Sequence, residues 1–403
     1  MSDTALPTES KSSFGGLNLP PWVFAVIPMV LLIAVLGLII TTNAGLGDRT
    51  TPPIETLSIE NVKLPEPGII ELSIINDGPD EITIAQVMVD DAYWSFDTSS
   101  GSTLARLDST TVTIPYPWVE GEAHAINLVS STGVMFPVEI PVATESPKAD
   151  AAGFWQFGLI GFYVGLVPVS LGLLWFPFLK SLGRTSMNFI LALTVGLLIY
   201  LVVDMFGEAQ EVALGVAGSF SAPLLLPLLA LLTTALLFVV SNSLKKRKAD
   251  GQLTVSYQIA TGIGLHNLGE GLAIGGAFAL GEVALGVFLI IGFTLHNVTE
   301  GIGIAAPIVR SRPKFYHFLL LALVGGGPAI IGTWIGAFVF SPLWTTIFLA
   351  IGVGAIIQVV IEVSRMVLRD HERHSEPLLT WSTFGGLTSG VAIMYATALF
   401  IAA

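Results

Sequence analysis

The stretch GLHNLGEGLAIGG, residues 264–276, places a histidine, an asparagine and a glutamate within five positions of an otherwise apolar run. LHNVTEGIGIAAP, residues 295–307, repeats the pattern HNxxEG thirty positions later. On a helix, His266 and Glu270 are four apart and share a face, and Asn267 is three before Glu270, so the three converge on one stripe. His296, Asn297 and Glu300 repeat that spacing. Only ALGEVAL separates the two runs. The helices are therefore expected to be antiparallel neighbours with their stripes facing each other near the bilayer midplane.

The surrounding composition makes that setting a membrane. Hydrophobic residues form 53% of the 403 and charged residues only 12%, far from the balance of a soluble protein. Nine apolar segments are long enough to cross a hydrocarbon core, which needs roughly 20 helical residues. They run over 22–42, 154–177, 188–206, 219–241, 254–280, 283–308, 315–340, 343–367 and 380–402. The first exceeds the apolar stretch of a signal peptide, and TTNAGLG is a weak cleavage site, so it reads as a retained anchor.

Basic residues orient the set, because Lys and Arg gather in short cytoplasmic loops. Lys11, Lys180, Arg184, the KKRK run at 245–248, Arg310, Arg312, Lys314, Arg365, Arg369 and Arg373 all fall on one side, 13 of the 17 basic residues. This predicts a cytoplasmic amino terminus, with residues 43–150 and the carboxyl terminus outside. The organisation expected is a tail over 1–21, an anchor helix over 22–42, a β domain over 43–150 and a helical domain over 151–403.

Within 43–150 the periodicity changes to two, as in ETLSIENV, GIIELSIIND, EITIAQVMV, TTVTIPY and GVMFPVEIPV, with turns such as DGPD and TSSGS between. About seven short strands predict an antiparallel sandwich, immunoglobulin-like or cupredoxin-like. This segment holds 17 acidic and 4 basic residues, which accounts for the whole net charge of −13. An acidic face gathers cations, but charge balance speaks first to solubility, and a solvated surface is the simpler reading. His124, its lone histidine, does not make a copper site without partners.

A charged carboxylate at mid-membrane costs at least about 2.5–3.5 kcal/mol, and a second one facing it adds to the conflict. A divalent cation between the stripes removes it by supplying positive charge and engaging several lone pairs at once. The chain has no cysteine, so thiolate ligands are absent. Imidazole, amide oxygen and carboxylate suit Zn²⁺, Fe²⁺ or Mn²⁺. Candidate ligands are His266, Asn267, Glu270, His296, Asn297 and Glu300. Asp204, Glu208 and Glu211 at the outer end of their helix, and Glu362, His371 and His374 near the cytoplasmic end of theirs, are further candidates for contact with a cation. No nucleotide-binding loop is present, so ATP hydrolysis is not expected.

HNLGEGLAIG followed by HNVTEG resembles the paired fourth and fifth core helices of the ZIP (Zrt/Irt-like) metal-ion transporters, particularly the bacterial and archaeal GufA-like branch. The likeness extends over residues 154–402. VVDMFGEA (202–209) stands where the family's second helix often reads LHLLPEA, GPAIIGTWIG resembles the sixth helix and GAIIQVVIEV the seventh. The fold implied is an all-α polytopic membrane protein with an eight-helix ZIP-like core, preceded here by the anchor helix and an extracytoplasmic β-sandwich domain. The resemblance implies a transporter, not an enzyme, that brings divalent metal ions into the cytoplasm by alternating access, with zinc or another transition metal as substrate and no organic cofactor.

In that reading His266, Glu270, His296 and Glu300 bind one ion. Asn267 and Asn297 bind a second, with Glu270 and Glu300 bridging. The sixth helix, GGGPAIIG, lacks the acidic or His ligand of some members, and KKRKADGQ replaces a His-rich cytoplasmic loop. The partners implied are metal ions, the bilayer and a second copy in a homodimer, with no nucleic acid. Two rival classes are an intramembrane metallohydrolase, which needs an open water-activating position, and a metal-regulated receptor, which leaves the duplicated motif unexplained.

Overall fold

The computed structural model describes residues 21–42, 52–245, 251–309, 311 and 313–402. The tail before residue 21, most of the KKRK run, Arg310 and Arg312 lie outside the described residues. Contacts divide the chain into two units, 1–53 and 54–403. In the first, helix α1 (Pro21–Thr41) is apolar almost throughout and contains Pro28.

The second unit begins with nine strands: β1 (Leu57–Lys63), β2 (Ile70–Asn76), β3 (Ile82–Val89), β4 (Ala92–Trp94), β5 (Asp97–Thr98), β6 (Thr103–Leu104), β7 (Ser109–Ile114), β8 (His124–Ser130) and β9 (Met135–Ile140). They form two antiparallel sheets, in the orders β1-β2-β7-β5 and β4-β3-β8-β9, with β6 beside β3. Alternating residues of both sheets turn inward. Ile70, Leu72 and Ile74 of β2 share one core with Ile82, Ile84 and Val87 of β3 and Ile126 and Leu128 of β8. The strands exceed the expected seven because β4 to β6 are two- or three-residue pieces, too short to leave an alternating pattern in sequence.

Helices follow: α2 (Ala151–Gly161), a π-turn at Phe162–Leu166, α3 (Val167–Leu173), α4 (Phe176–Ser181), α5 (Arg184–Leu214), a 3₁₀ turn at Gly218–Phe220, α6 (Ala222–Lys245), α7 (Gly251–Ala279), α8 (Val283–Ala305), α9 (Phe315–Gly326), α10 (Pro328–Phe338), α11 (Pro342–Arg373) and α12 (Trp381–Ala402). Asp150 caps α2 by accepting the Gly153 N–H at 2.8 Å. Prolines begin α10 and α11, where a missing N–H costs nothing. Pro328 also ends the continuous helix expected over 315–340, which is two helices meeting at Gly327.

Among the described residues, six helical spans are long and apolar enough to cross a membrane: 151–181, 184–214, 218–243, 283–308, 315–338 and 342–373. This is fewer than the nine segments read from sequence. Helix α7 falls outside the set because its polar and glycine residues dilute its hydropathy, and α12 falls outside it as well. The chain is a multi-pass membrane protein in which α7 is an interior helix. It packs along α10, α11, α8 and α9.

Glycines set those distances. A β-carbon on Gly275 would come 2.6 Å from the Ala337 nitrogen of α10, and one on Gly172 of α3 would come 2.6 Å from the Gly301 Cα of α8. Helix α2 lies on α10, α10 on α7 and α3 on α8, here termed the α7 group, while α5 lies on α12 and α11, and α6 on α11, the α5 group; the two meet where α7 packs on α11.

The two-sheet region rests on both groups. Asn61, re-aimed by a bulge in β1, donates to the Phe340 carbonyl after α10 at 3.4 Å. The turn between α7 and α8 fits under the strand end at Val142 and Thr144. A β-carbon on Gly281 there would sit 2.6 Å from the Thr144 hydroxyl. On the other side, Asp77 accepts the backbone N–H groups of Gly218 at 2.6 Å and Ser219 at 2.8 Å, between α5 and α6.

Candidate metal centre

The two HNxxEG motifs meet in the interior. All six of their polar side chains are buried, none more than 6% exposed. Shielded from bulk solvent, each must find partners to offset the cost of burial. His266 Nε2 lies 3.0 Å from Glu270 Oε1 on its own helix and 3.7 Å from Glu300 Oε1 on α8. His296 Nε2 meets the same Glu270 oxygen. Nitrogen atoms of His266 and His296 and an oxygen of Glu300 all lie within 4.8 Å of one another, a spacing at which one cation reaches three ligands.

The asparagines are held from behind. Asn267 Nδ2 donates to the Gly325 carbonyl at 2.9 Å, beside the break at Gly327 and Pro328. Asn297 Nδ2 donates to the Val164 carbonyl at 3.0 Å and to Glu270 Oε2 at 2.9 Å. Val164 lies in the π-turn, and the residue four further on is Pro168, which has no N–H to offer it. With both NH₂ groups engaged, the amide oxygens of Asn267 and Asn297 are left without a hydrogen-bond donor. His266 Nε2 is shared between the two glutamates, close to Glu270 and farther from Glu300. Two amide oxygens without donors, gathered with two imidazoles and two carboxylates, form a set that a divalent cation satisfies.

One participant was invisible in sequence. Met205 of α5 places its sulfur 3.4 Å from His266 Nδ1, a soft donor at the edge of the centre. Nothing in VVDMFGEA marks that methionine above an ordinary packing residue. The signal is its neighbour Asp204, an acid inside an apolar helix.

Asp204, Glu208 and Glu211 follow one another along α5. Asp204 and Glu211 are exposed and Glu208 is half-buried. Asp204 directly precedes Met205, whose sulfur touches His266, so the row of acids ends beside the centre.

Glu362 is 3% exposed near the end of α11, where the Ser241 hydroxyl and Arg365 approach it at 3.5 Å. It lines a cavity of about 950 Å³ together with Arg184, Asn188, Arg369, Asp370 and Arg373. The two histidines expected beside it are elsewhere. His371 is buried with Nδ1 at 2.9 Å from the Val367 carbonyl of its own helix, and His374 is exposed, turned to the Asp370 carbonyl at 2.7 Å. Neither lines the cavity. Spacing along the chain placed them near Glu362, but the helix turns them onto other faces.

No curated protein matches the chain. Residues 240–398, which contain all six motif side chains and Glu362, match the family model of the ZIP zinc transporters.

Proposed function

We propose that this protein carries divalent transition-metal ions, zinc and also iron or manganese, across the membrane into the cytoplasm. The observation that carries the reading is the buried cluster of His266, His296 and Glu300 around Glu270, with the donorless amide oxygens of Asn267 and Asn297 beside it, inside the stretch that matches a metal-transporter family. His266, Glu270, His296 and Glu300 hold one ion. Asn267 and Asn297 turn their amide oxygens toward a second, which Glu270 and Glu300 bridge. Met205 lends the first ion a soft ligand.

In this reading the two-sheet region faces outside. Asp204, Glu208 and Glu211 collect cations, and each exchange of hydration water for a carboxylate is followed by another nearer the imidazoles. Glu362 receives the ion at the inner cavity. Alternating access arises from displacement of the α7 group against the α5 group, with the centre at their boundary, as expected for midplane sites between helical repeats. Glu270 is central because it contacts both imidazoles and Asn297, so its charge is neutralised by whichever cation occupies the centre.

Purified protein in vesicles loaded with a metal-sensitive dye tests this. Zn²⁺, Fe²⁺ or Mn²⁺ entry should be abolished by Glu270→Ala and Glu300→Ala. Entry that persists in both variants at the parent rate would sink the proposal.

A further inference from the structure

The two-sheet region is joined to the α7 group in three ways. It continues into α2, which packs on α10. Asn61 holds the Phe340 carbonyl at 3.4 Å, and Val142 and Thr144 cover Gly281 in the turn between α7 and α8. Its link to the α5 group is of a different kind. Asp77 grips the α5–α6 turn through Gly218 N–H at 2.6 Å and Ser219 N–H at 2.8 Å, and its carbonyl accepts the Ser219 hydroxyl at 3.2 Å.

A rigid sandwich with one shared core cannot keep both attachments if the two helix groups shift along each other. The attachment that yields is the one with no covalent backing. The grip at Asp77 consists only of hydrogen bonds, from a half-buried carboxylate to the exposed Gly218 and Ser219, where water can replace the partner. The contacts at Phe340 and Gly281 are backed by the short chain from residue 141 to α2.

We infer that Asp77 is a latch: its three hydrogen bonds to the α5–α6 turn hold the two helix groups in one register and must break and reform in every transport cycle. The sandwich then rides with the metal-bearing helices α7 and α8, and its grip on the turn sets how long the protein waits in the latched state. This rests on the transport reading above.

The chain contains no cysteine, so paired cysteines can be placed without interference. With Asp77→Cys and Ser219→Cys, oxidation should reduce metal uptake into vesicles to that of protein-free vesicles, and a reductant should restore it. With Asn61→Cys and Phe340→Cys, oxidation should leave uptake unchanged, because that pair lies within one moving body. Uptake that survives the first lock, or is lost with the second, overturns the latch. A second measurement does not depend on transport. Spin labels at Asp108→Cys beside the latch and Leu214→Cys at the end of α5 should show two distance populations, with proportions that change on adding Zn²⁺. One narrow population in both conditions overturns the latch. Two populations in a protein that moves no metal would remove the transport reading alone.

Discussion

Asn297 donates to the Val164 carbonyl at 3.0 Å, and that carbonyl lacks its ordinary helical donor because the residue four positions on is Pro168. A proline at the second position of α3 thereby helps fix how an asparagine on α8 presents its oxygen to the centre. Replacing Pro168 by Ala supplies an N–H that competes for the carbonyl and lets Asn297 rotate. We expect Zn²⁺ affinity to fall by about 10-fold, the lower end of what lost outer-shell partners cost. Isothermal titration of the variant checks this, and unchanged affinity would show that Glu270 alone suffices to orient Asn297.

Glu270 and Glu300 should respond differently to neutralisation. Glu270 is paired with His266, His296 and Asn297, whereas His266 Nε2 stays 3.7 Å from Glu300 Oε1. Glu270→Gln disrupts bonds the protein makes without metal and should destabilise it by on the order of 1–3 kcal/mol. Glu300→Gln removes fewer bonds and should cost clearly less apo-protein thermal stability, while metal binding is lost in both. Thermal unfolding in detergent, with and without Zn²⁺, separates the two. Equal loss of apo stability in both variants would contradict the assignment.

The contrast between those two glutamates shows what the sequence made legible. The duplicated HNxxEG spacing was enough to bring His266, Glu270, His296 and Glu300 onto facing stripes, because a helix of 3.6 residues per turn leaves no other arrangement. It could not say which glutamate is paired, since that depends on χ angles and on carbonyls from Val164 and Gly325, far away in the chain. Met205 was hidden for the same reason. Alternation in β2, β3 and β8 announced the sheets, but β4 to β6 are too short to carry a period. The break at Gly327 is written in GGGPAI, but hydropathy averages across it. The grip of Asp77 on the α5–α6 turn joins residues some 140 positions apart, and no local pattern reports such a contact.

The crossing of α3 and α8 sets a packing prediction. A β-carbon on Gly301 would come 2.8 Å from the Gly172 Cα, with backbone on both sides and no flexible side chain to give way. Gly301→Ala should push the helices apart and cost about 1–3 kcal/mol, the range for overpacking a tight contact. Because Gly301 directly follows Glu300, metal affinity should fall as well. Gly207→Ala, at a position with open space around it, is the control and should change neither. Thermal unfolding with and without Zn²⁺ reads both effects, and a Gly301→Ala protein as stable as the parent would refute the close approach.

In the two-sheet region, Asp90 carries the pH dependence. Its carboxylate accepts from Tyr116 Oη at 2.7 Å, lies 2.8 Å from His124 Nδ1 and accepts the Ala125 N–H at 2.9 Å. Burial alone would raise its pKa, but those bonds outweigh burial and hold it below the usual carboxylate range. The same hydrogen bond, with burial second, pushes the Tyr116 phenol up to about 12. A depressed carboxylate contributes stability that is fully present above its unfolded pKa of about 3.9 and is lost as pH falls through the lower folded value. A raised phenol contributes stability present below its unfolded pKa of about 10 and lost as pH rises through about 12. Between those limits the parent should show a plateau, and Asp90→Asn should lose stability across it and lower the Tyr116 titration toward 10. A difference spectrum against Tyr116→Phe isolates that tyrosine during an alkaline titration, and an unmoved midpoint in Asp90→Asn would show that Asp90 is not what holds the phenol protonated.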